Sequence, residues 1–324
     1  MDYVTQNPIR VATRRSQLAM TQSHLIANEL ARLTGRPTEL VEVTTLGDVT
    51  KGSVSSFGGV GVFVGAVREA ILDGRADIGV HSLKDLPTYP QEGLTIAAIP
   101  RREDPSDALC AGTVTSLDGL ARGVSVGTGS LRRGAQLRAQ RPDLVVVDIR
   151  GNVETRLARV ADGDLAGVIL ATAGLHRLGR HSAISARLNP QVMLPAPGQG
   201  ALAVETRFDL ESRDADLHKA LSTLDDLTTR AAVTSERAVL NELEAGCSAP
   251  VAALAVVSEP PIGSEQLPQD RDLFLQALVA SIDGSQVIRL SVSGPAGDAD
   301  RVGRELASEL LAAGAASLLG EPRQ

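Results

Sequence analysis

Residues Ala76–Thr88 read ADIGVHSLKDLPT, and this stretch decides the fold. Ile78, Gly79 and Val80 have the character of a buried strand. The chain then turns polar at His81, Ser82, Lys84 and Asp85 and is closed by Pro87. A buried strand running into a polar turn belongs to an open α/β sheet, where ligands meet the carboxyl ends of strands. Lys84 is one of three lysines, beside Lys51 and Lys219, so the remaining basic residues are arginines. Lys84 next to Asp85 reads either as an incidental ion pair on a surface turn or as a proton donor and charge stabiliser.

Working outward, Ile9–Thr13 reads as a first strand. Ser16 stands where a helix N-cap would, and Leu18, Leu25, Ile26, Leu30 and Leu33 follow at helical spacing up to Gly35. Glu39–Thr45 alternates like a strand, Lys51–Gly61 is a Gly- and Ser-rich loop, and Val62–Leu72 is helical. This β-α-β-α-β order predicts a parallel sheet with helical crossovers. Leu94–Ile99 is another strand, and Arg101–Pro105 reads as the passage to a second α/β domain. That domain has strands at Ala108–Ala111, Val124–Gly127, Leu144–Ile149 and Val168–Ala171, and helices at Leu131–Gln140 and Val153–Ala161. Leu194–Ala201 is a rigid bend, after which Leu202–Thr206 is a strand placed to return to the first domain. Beyond the helix Thr228–Ala245, three segments (Val251–Val257, Leu273–Ser281 and Val287–Ser293) read as antiparallel hairpin strands, and Ala299–Ala313 is a closing helix. The expected division is 1–101 with the return segment 200–221, then 102–199, then a small α+β domain at 222–324.

The 324 residues, 43% hydrophobic and 22% charged, describe an ordinary globular chain with room for two or three domains. Aromatics at 2% and a net charge of −7 argue against nucleic acid and anionic membranes as partners. No apolar run is long enough to span a bilayer, and the N-terminus lacks a secretory pattern, so the cytoplasm is the expected location. Cys110 and Cys247 have no zinc spacing, and the five histidines form no ligand pair, so no metal is expected. Cys110 reads as a core residue, and His176 and His181 as solvated ones.

What remains is a set of anion-binding turns. Thr13–Ser16, with Arg14, lies at one helix start; Thr128 to Arg133, with Ser130, Arg132 and Arg133, at another; Arg150 to Asn152, followed by Arg156, at a third. Helix N-termini offer unpaired N–H groups and the positive end of a dipole, and arginine forks add bidentate carboxylate recognition. Together they point to a polyanionic ligand in an interdomain cleft. Cys247, in a Gly-Cys-Ser turn after a helix, is either an inert small residue or a functional thiol, and a helix C-terminus gives it no activation.

Eight ordered segments resemble the porphobilinogen deaminase (hydroxymethylbilane synthase) family over nearly the whole chain. They are ATRRSQLA (Ala12–Ala19), TLGD (Thr45–Asp48), ADIGVHSLKDLPT, REDPSDAL (Arg102–Leu109), GTGSLRR (Gly127–Arg133), RGNVETRL (Arg150–Leu157), LPAPGQGALAVE (Leu194–Glu205) and ERAVLNELEAGCSAPVAA (Glu236–Ala253). The resemblance implies two doubly wound lobes like those of type II periplasmic binding proteins plus a small C-terminal domain. It implies a transferase that joins four porphobilinogen molecules head to tail into 1-hydroxymethylbilane with release of ammonia. It further implies a dipyrromethane cofactor held by a thioether to Cys247, with Asp85 as the catalytic aspartate. Arg14, Ser16, Lys84, Ser130, Arg132, Arg133, Arg150 and Arg156 match cofactor- and substrate-binding positions, with Thr128 and Gln199 as additional contacts. A monomer that hands its product to uroporphyrinogen III synthase is the implied assembly.

The chain departs from the family pattern in places. Ser56 and Val60 stand where lysines are common, Gly129 where serine is common and Leu46 where arginine is often found. A rival reading, a non-catalytic protein clamping an anionic solute between two lobes, lacks a use for the third domain and Cys247. A second rival, a degenerate deaminase kept for interactions, is disfavoured by the presence of both Asp85 and Cys247.

Overall fold

A computed structural model describes residues 7–43, 64–245, 249–260 and 266–319. The loop Lys51–Gly61, Thr45–Asp48 and Cys247 lie outside the described residues. The chain divides into two compact units, Met1–Arg102 with Ala201–Asp226 and Glu103–Gly200 with Leu227–Gln324.

In the first unit, strand β1 (Ile9–Arg14) leads into helix α1 (Gln17–Thr34), followed by β2 (Thr38–Val43), α2 (Gly65–Leu72), β3 (Ile78–Ser82) and β4 (Leu94–Ala98). The Ser16 side chain caps α1 by accepting from the Ala19 N–H, and Gly35 closes it in the left-handed conformation, φ 70°, donating to Ala31 O. Gln22, Ser23, Ile26, Ala27 and Leu30 form the buried face of α1. Leu25, expected on that face, is exposed because it lies on the opposite side of the turn from Ala27.

In the second unit the order is β5 (Asp107–Cys110), β6 (Ser125–Gly127), α3 (Leu131–Gln140), β7 (Val145–Val147), α4 (Val153–Ala161), β8 (Gly167–Ala171), α5 (Thr172–Arg177) and β9 (Ala186–Leu188). β10 (Leu202–Arg207) and α6 (Ala215–Leu224) then return to the first unit. The remainder is α7 (Leu227–Glu242), β11 (Val251–Val257), β12 (Asp272–Ala280), β13 (Val287–Pro295) and α8 (Ala299–Ala312).

The two larger sheets are mixed, which corrects the expectation of parallel sheets. Their orders are β2-β1-β3-β10-β4 and β7-β6-β8-β5-β9. β1 runs parallel to β2 and β3, and β6 parallel to β7 and β8. The fourth position in each sheet is antiparallel to its neighbours, and it is filled by the strand that follows a passage from one unit to the other: β10 after Gly200, β5 after Arg102. A strand entering from outside the local β-α-β run is not bound by the right-handed crossover that keeps the others parallel. Helices cover both faces. In the first unit α1 and α6 pack against Ile9, Val11, Ile78 and Val204, while α2 packs against Ala12 and Val43. In the second, Leu137 of α3 lies in one core and Leu157 of α4 packs against the other.

The third sheet, β11-β12-β13, is antiparallel throughout. One face packs on α7 and α8 through Val251, Ala253, Leu273, Leu275, Val239 and Leu306. On the other, Ala252, Leu278 and Ala280 meet Ala135 of α3 and Leu194. The tight turn between β12 and β13 reaches the same helix. Gly284 has φ +75°, and a Cβ there would lie 2.7 Å from both Ala135 O and Ala139 N, so only glycine fits.

Candidate functional site

Each larger sheet carries the expected residues at the carboxyl ends of adjacent parallel strands. In the first unit β1 ends in Arg14 and leads to the Ser16 cap, while β3 runs into the turn Leu83–Asp85. Leu83 and Leu86 are fully buried and pin this turn. The Leu83 N–H donates to Ala201 O at 3.0 Å, and Leu86 N–H to Leu83 O at 3.1 Å. Between these anchors Asp85 is exposed and Lys84 is half-buried. Gln22 on α1 donates to Ser82 Oγ at 3.0 Å, fixing the end of β3 against the helix.

Behind the turn lies a buried ion cluster. Glu205 on β10 is 2% exposed and receives Arg68 of α2 through Nε to Oε2 at 3.0 Å and Nη2 to Oε1 at 2.8 Å. His81 Nε2 stands 3.3 Å from Glu205 Oε2. Burial pushes the Glu205 carboxyl up, but hydrogen bonding to His81 and Arg68, with their charge, carries it below the usual carboxylate range.

The second unit concentrates its cations. β6 ends in Thr128 and Gly129, and Ser130 caps α3 by accepting from Arg133 N–H at 3.4 Å. Thr128 is buried, and its Oγ1 accepts from the Ser130 N–H at 3.2 Å. A Cβ on Gly129 would lie 2.5 Å from Ile149 O, so the adjoining strand ends approach too closely here for the serine common in the family.

Arg132 and Arg133 are both buried, and both meet the fully buried Asp107 at the start of β5. Arg133 donates Nε and Nη2 to Asp107 Oδ1 at 3.0 and 2.7 Å, and Nη1 to Ile169 O at 3.0 Å. Arg132 Nη1 donates to Leu194 O at 2.6 Å and stands 2.8 Å from Asp107 Oδ2. Arg132 Nε is buried with no hydrogen-bond partner among the described residues. Burial pushes Asp107 up and the two guanidiniums pull it down, with the net result well below the usual carboxylate range. Burial, together with the Arg133 charge, also lowers Arg132 despite Asp107.

Arg150 is exposed and 3.2 Å from Asp148, and Arg156 donates Nε to Gly151 O at 2.9 Å. Arg156 is lowered first by burial and then by the charges of Arg133 and Arg150, so both guanidiniums lie within electrostatic reach of Arg156.

Gln199 is buried, and its amide nitrogen donates to Pro105 O at 2.7 Å and Asp107 Oδ1 at 2.8 Å. Its side chain therefore shapes the Asp107 cluster. Asp107 itself went unnoticed in the sequence, although a carboxylate opening an apolar strand, DALC, beside an excess of arginines is a readable sign of an internal counter-ion. Of the two histidines read as solvated, His181 is exposed and His176 is half-buried. His176 Nδ1 lies 3.2 Å from Glu103 Oε1, and the His176 ring stacks on His181 with centroids 4.5 Å apart. Cys110 is buried, and burial raises its thiol to about 11. Among the described residues no group of His, Cys, Asp or Glu is placed to hold a metal ion, and no helix is long and apolar enough to cross a membrane.

Residues 9–215 match the family described as porphobilinogen deaminase, dipyromethane cofactor binding domain, and residues 230–312 match porphobilinogen deaminase, C-terminal domain. The chain is 48% identical to "Porphobilinogen deaminase 1" of Streptomyces coelicolor, covering 99% of this chain and 100% of that protein. It is 50% identical to the porphobilinogen deaminase of Nocardia farcinica, covering 98% of this chain and 89% of that one. Among solved structures, an ABC transporter periplasmic substrate-binding protein from Coxiella burnetii is similar at a TM-score of 0.41 and 15% identity, over 67% of this chain and 91% of the other. On the family matches and the near-full-length identity, the chain belongs to the porphobilinogen deaminase family.

Proposed function

We propose that the strand-end residues described above are the machinery of a hydroxymethylbilane synthase. The enzyme joins four porphobilinogen molecules head to tail into 1-hydroxymethylbilane, releasing ammonia at each step, and works with a dipyrromethane cofactor. When bound, that cofactor supplies the pyrrole carbon from which the chain grows. We assign its thioether attachment to Cys247 and the catalytic carboxylate to Asp85.

The observation that carries the reading is the buried Arg132 Nε with no partner among the described residues, in a cluster where one carboxylate faces two guanidiniums. Such a cluster has cationic capacity to spare for the acid side chains of a pyrrole chain, so these residues fit the group. We assign binding of pyrrole acids also to Arg150 and Arg156 in the second unit and to Arg14 and Lys84 in the first, each at strand ends of its own unit. Ser16, Thr128 and Ser130 orient the turns.

Asp85 has the exposure its role needs. When the C–N bond of porphobilinogen breaks, ammonia leaves and an azafulvenium cation remains. A carboxylate held at a rigid turn stabilises that cation while a pyrrole α-carbon forms the new C–C bond and then loses its proton. For the chain as a whole we propose a third domain at 222–324, a monomer, a cytoplasmic site of action and delivery of the product to uroporphyrinogen III synthase.

Incubation with porphobilinogen tests the reading directly. The expected result is ammonia release, uroporphyrin after closure and oxidation of the linear product, and a protein mass raised by one dipyrromethane in wild type but not in Cys247→Ser. A wild-type chain that stays at its unmodified mass and releases no ammonia would overturn it.

A further inference from the structure

We infer that Asp107 is a stand-in anion: it occupies the charge of Arg132 and Arg133 before the pyrrole acids arrive and so keeps the binding guanidiniums ordered in the unloaded protein. This rests on the reading that Arg132 and Arg133 receive pyrrole carboxylates.

Asp107 is 0% exposed and touches no solvent, and neither guanidinium has much water of its own, at 4% and 5% exposed. Two buried cations side by side repel each other and are costly without a counter-charge. Asp107 answers with both oxygens. Oδ1 takes Arg133 through Nε and Nη2 and also accepts the Gln199 amide at 2.8 Å, while Oδ2 faces Arg132 Nη1. One carboxylate offsets one of two positive charges. The one positive charge left over makes the pair attractive to an incoming acid, while the shared carboxylate offsets the repulsion between the two guanidiniums in the empty protein.

Placement reinforces the point. Asp107 sits on a strand, with its backbone paired to Ala171 and Leu188, so its position does not depend on a loop. Arg133 is held at a second point by Ile169 O, and Arg132 by Leu194 O. Each guanidinium is thus fixed by one carbonyl and one shared carboxylate, and the buried Nε of Arg132 has no hydrogen-bond partner among the described residues. Asp107 is therefore a positioning residue that acts through the two arginines.

The test compares full-length chain made without a source of porphobilinogen with the same chain loaded by incubation with porphobilinogen, loading being verified by intact mass. Asp107→Asn keeps the side-chain shape and removes the charge. Its thermal midpoint is expected to fall by roughly 10 °C in the unloaded protein, the scale for uncovering a buried charge in a chain of this size. In the loaded protein, where pyrrole carboxylates replace the missing charge, it should fall by less than half as much. Equal losses in the two states would overturn the inference and leave Asp107 as a fold element alone. Should unloaded Asp107→Asn fail to fold, recovery of folded, loaded chain on refolding with porphobilinogen supports the inference, and failure in both conditions overturns it. Arg132→Leu separates the two levels. If that variant gains as much stability on loading as wild type, the reading of the arginines themselves fails, whatever Asp107 shows.

Discussion

Replacing Arg68 by Met strips the buried Glu205 carboxylate of its nearer partner. Arg68 makes three close contacts to Glu205, at 2.8, 3.0 and 3.2 Å, with both side chains under a tenth exposed. Removing one member of such a pair costs about 3–5 kcal/mol, because the survivor keeps its desolvation and loses its compensation. His81 remains 3.3 Å from Glu205 and retains part of the balance, which places the expected loss near the lower end, about 3 kcal/mol. Removing both members in Arg68→Met with Glu205→Leu should return most of that loss, since two apolar side chains replace two buried charges. The coupling between the two sites should then be about 2 kcal/mol or more.

The acid side supplies a second signature. In wild type the Glu205 carboxyl is held below its unfolded value, so it contributes stability that is present above about pH 4 and is lost as pH falls through its folded value. In Arg68→Met, burial is opposed by His81 alone, so the Glu205 carboxyl is depressed less than in wild type and loses less stability on acidification. The gap between variant and wild type must therefore shrink between pH 7 and pH 4. Urea unfolding midpoints for wild type, both single variants and the double variant at the two pH values measure all of this. A single-variant loss under about 1 kcal/mol at pH 7, or a gap that widens on acidification, would refute the account of the cluster.

Three further outcomes are expected. Asp85→Ala should lower turnover of porphobilinogen by about 100-fold or more, the scale for losing one electrostatic stabiliser, while the thermal midpoint stays within a degree or two because the side chain is exposed. Gly284→Ala should destabilise the second unit by about 2 kcal/mol, from the left-handed backbone and the contact a Cβ would make with Ala135 O and Ala139 N, read as a lowered urea midpoint. Cys110, raised to about 11 by burial, should stay unlabelled by iodoacetamide at pH 7.5 in the native loaded chain and label fully in 6 M guanidinium, as counted by intact mass.

The strand ends were legible because their chemistry is local. A run such as GTGSLRR announces apolar strand, polar turn and helix start within a dozen residues; Ser16 caps α1 as its position suggested, and the helix starts read after Thr128 and Arg150 are capped by Ser130 and Asn152. The strand directions were less legible. A β-α-β rhythm says parallel, but β5 and β10 enter from the neighbouring segment, and nothing in DALC or LAVETR marks a reversed strand. Harder still were the two buried carboxylates. Asp107 and Glu205 sit on those same inserted strands, Asp107 paired with Arg132 and Arg133 and Glu205 with Arg68, each from a helix that packs on its own sheet, pairings over as many as 26 and 137 residues of sequence that no short window contains. Gln199 lies in a stretch with the composition of a binding loop, and its amide nitrogen donates to Pro105 O and Asp107 Oδ1, partners that no short window shows.

The placement of β10 has a consequence for how the protein is made. Every strand of the sheet β7-β6-β8-β5-β9 lies between residues 107 and 188, so it has all its members once that span has left the ribosome. The sheet that begins at Ile9 lacks its fourth strand until Arg207 is synthesised, and until then β3 and β4 have an open lane between them. The N-terminal part of the nascent chain is therefore the last of the two to close. In the interval its unpaired strand edges are the natural target of a chaperone or of a neighbouring nascent chain.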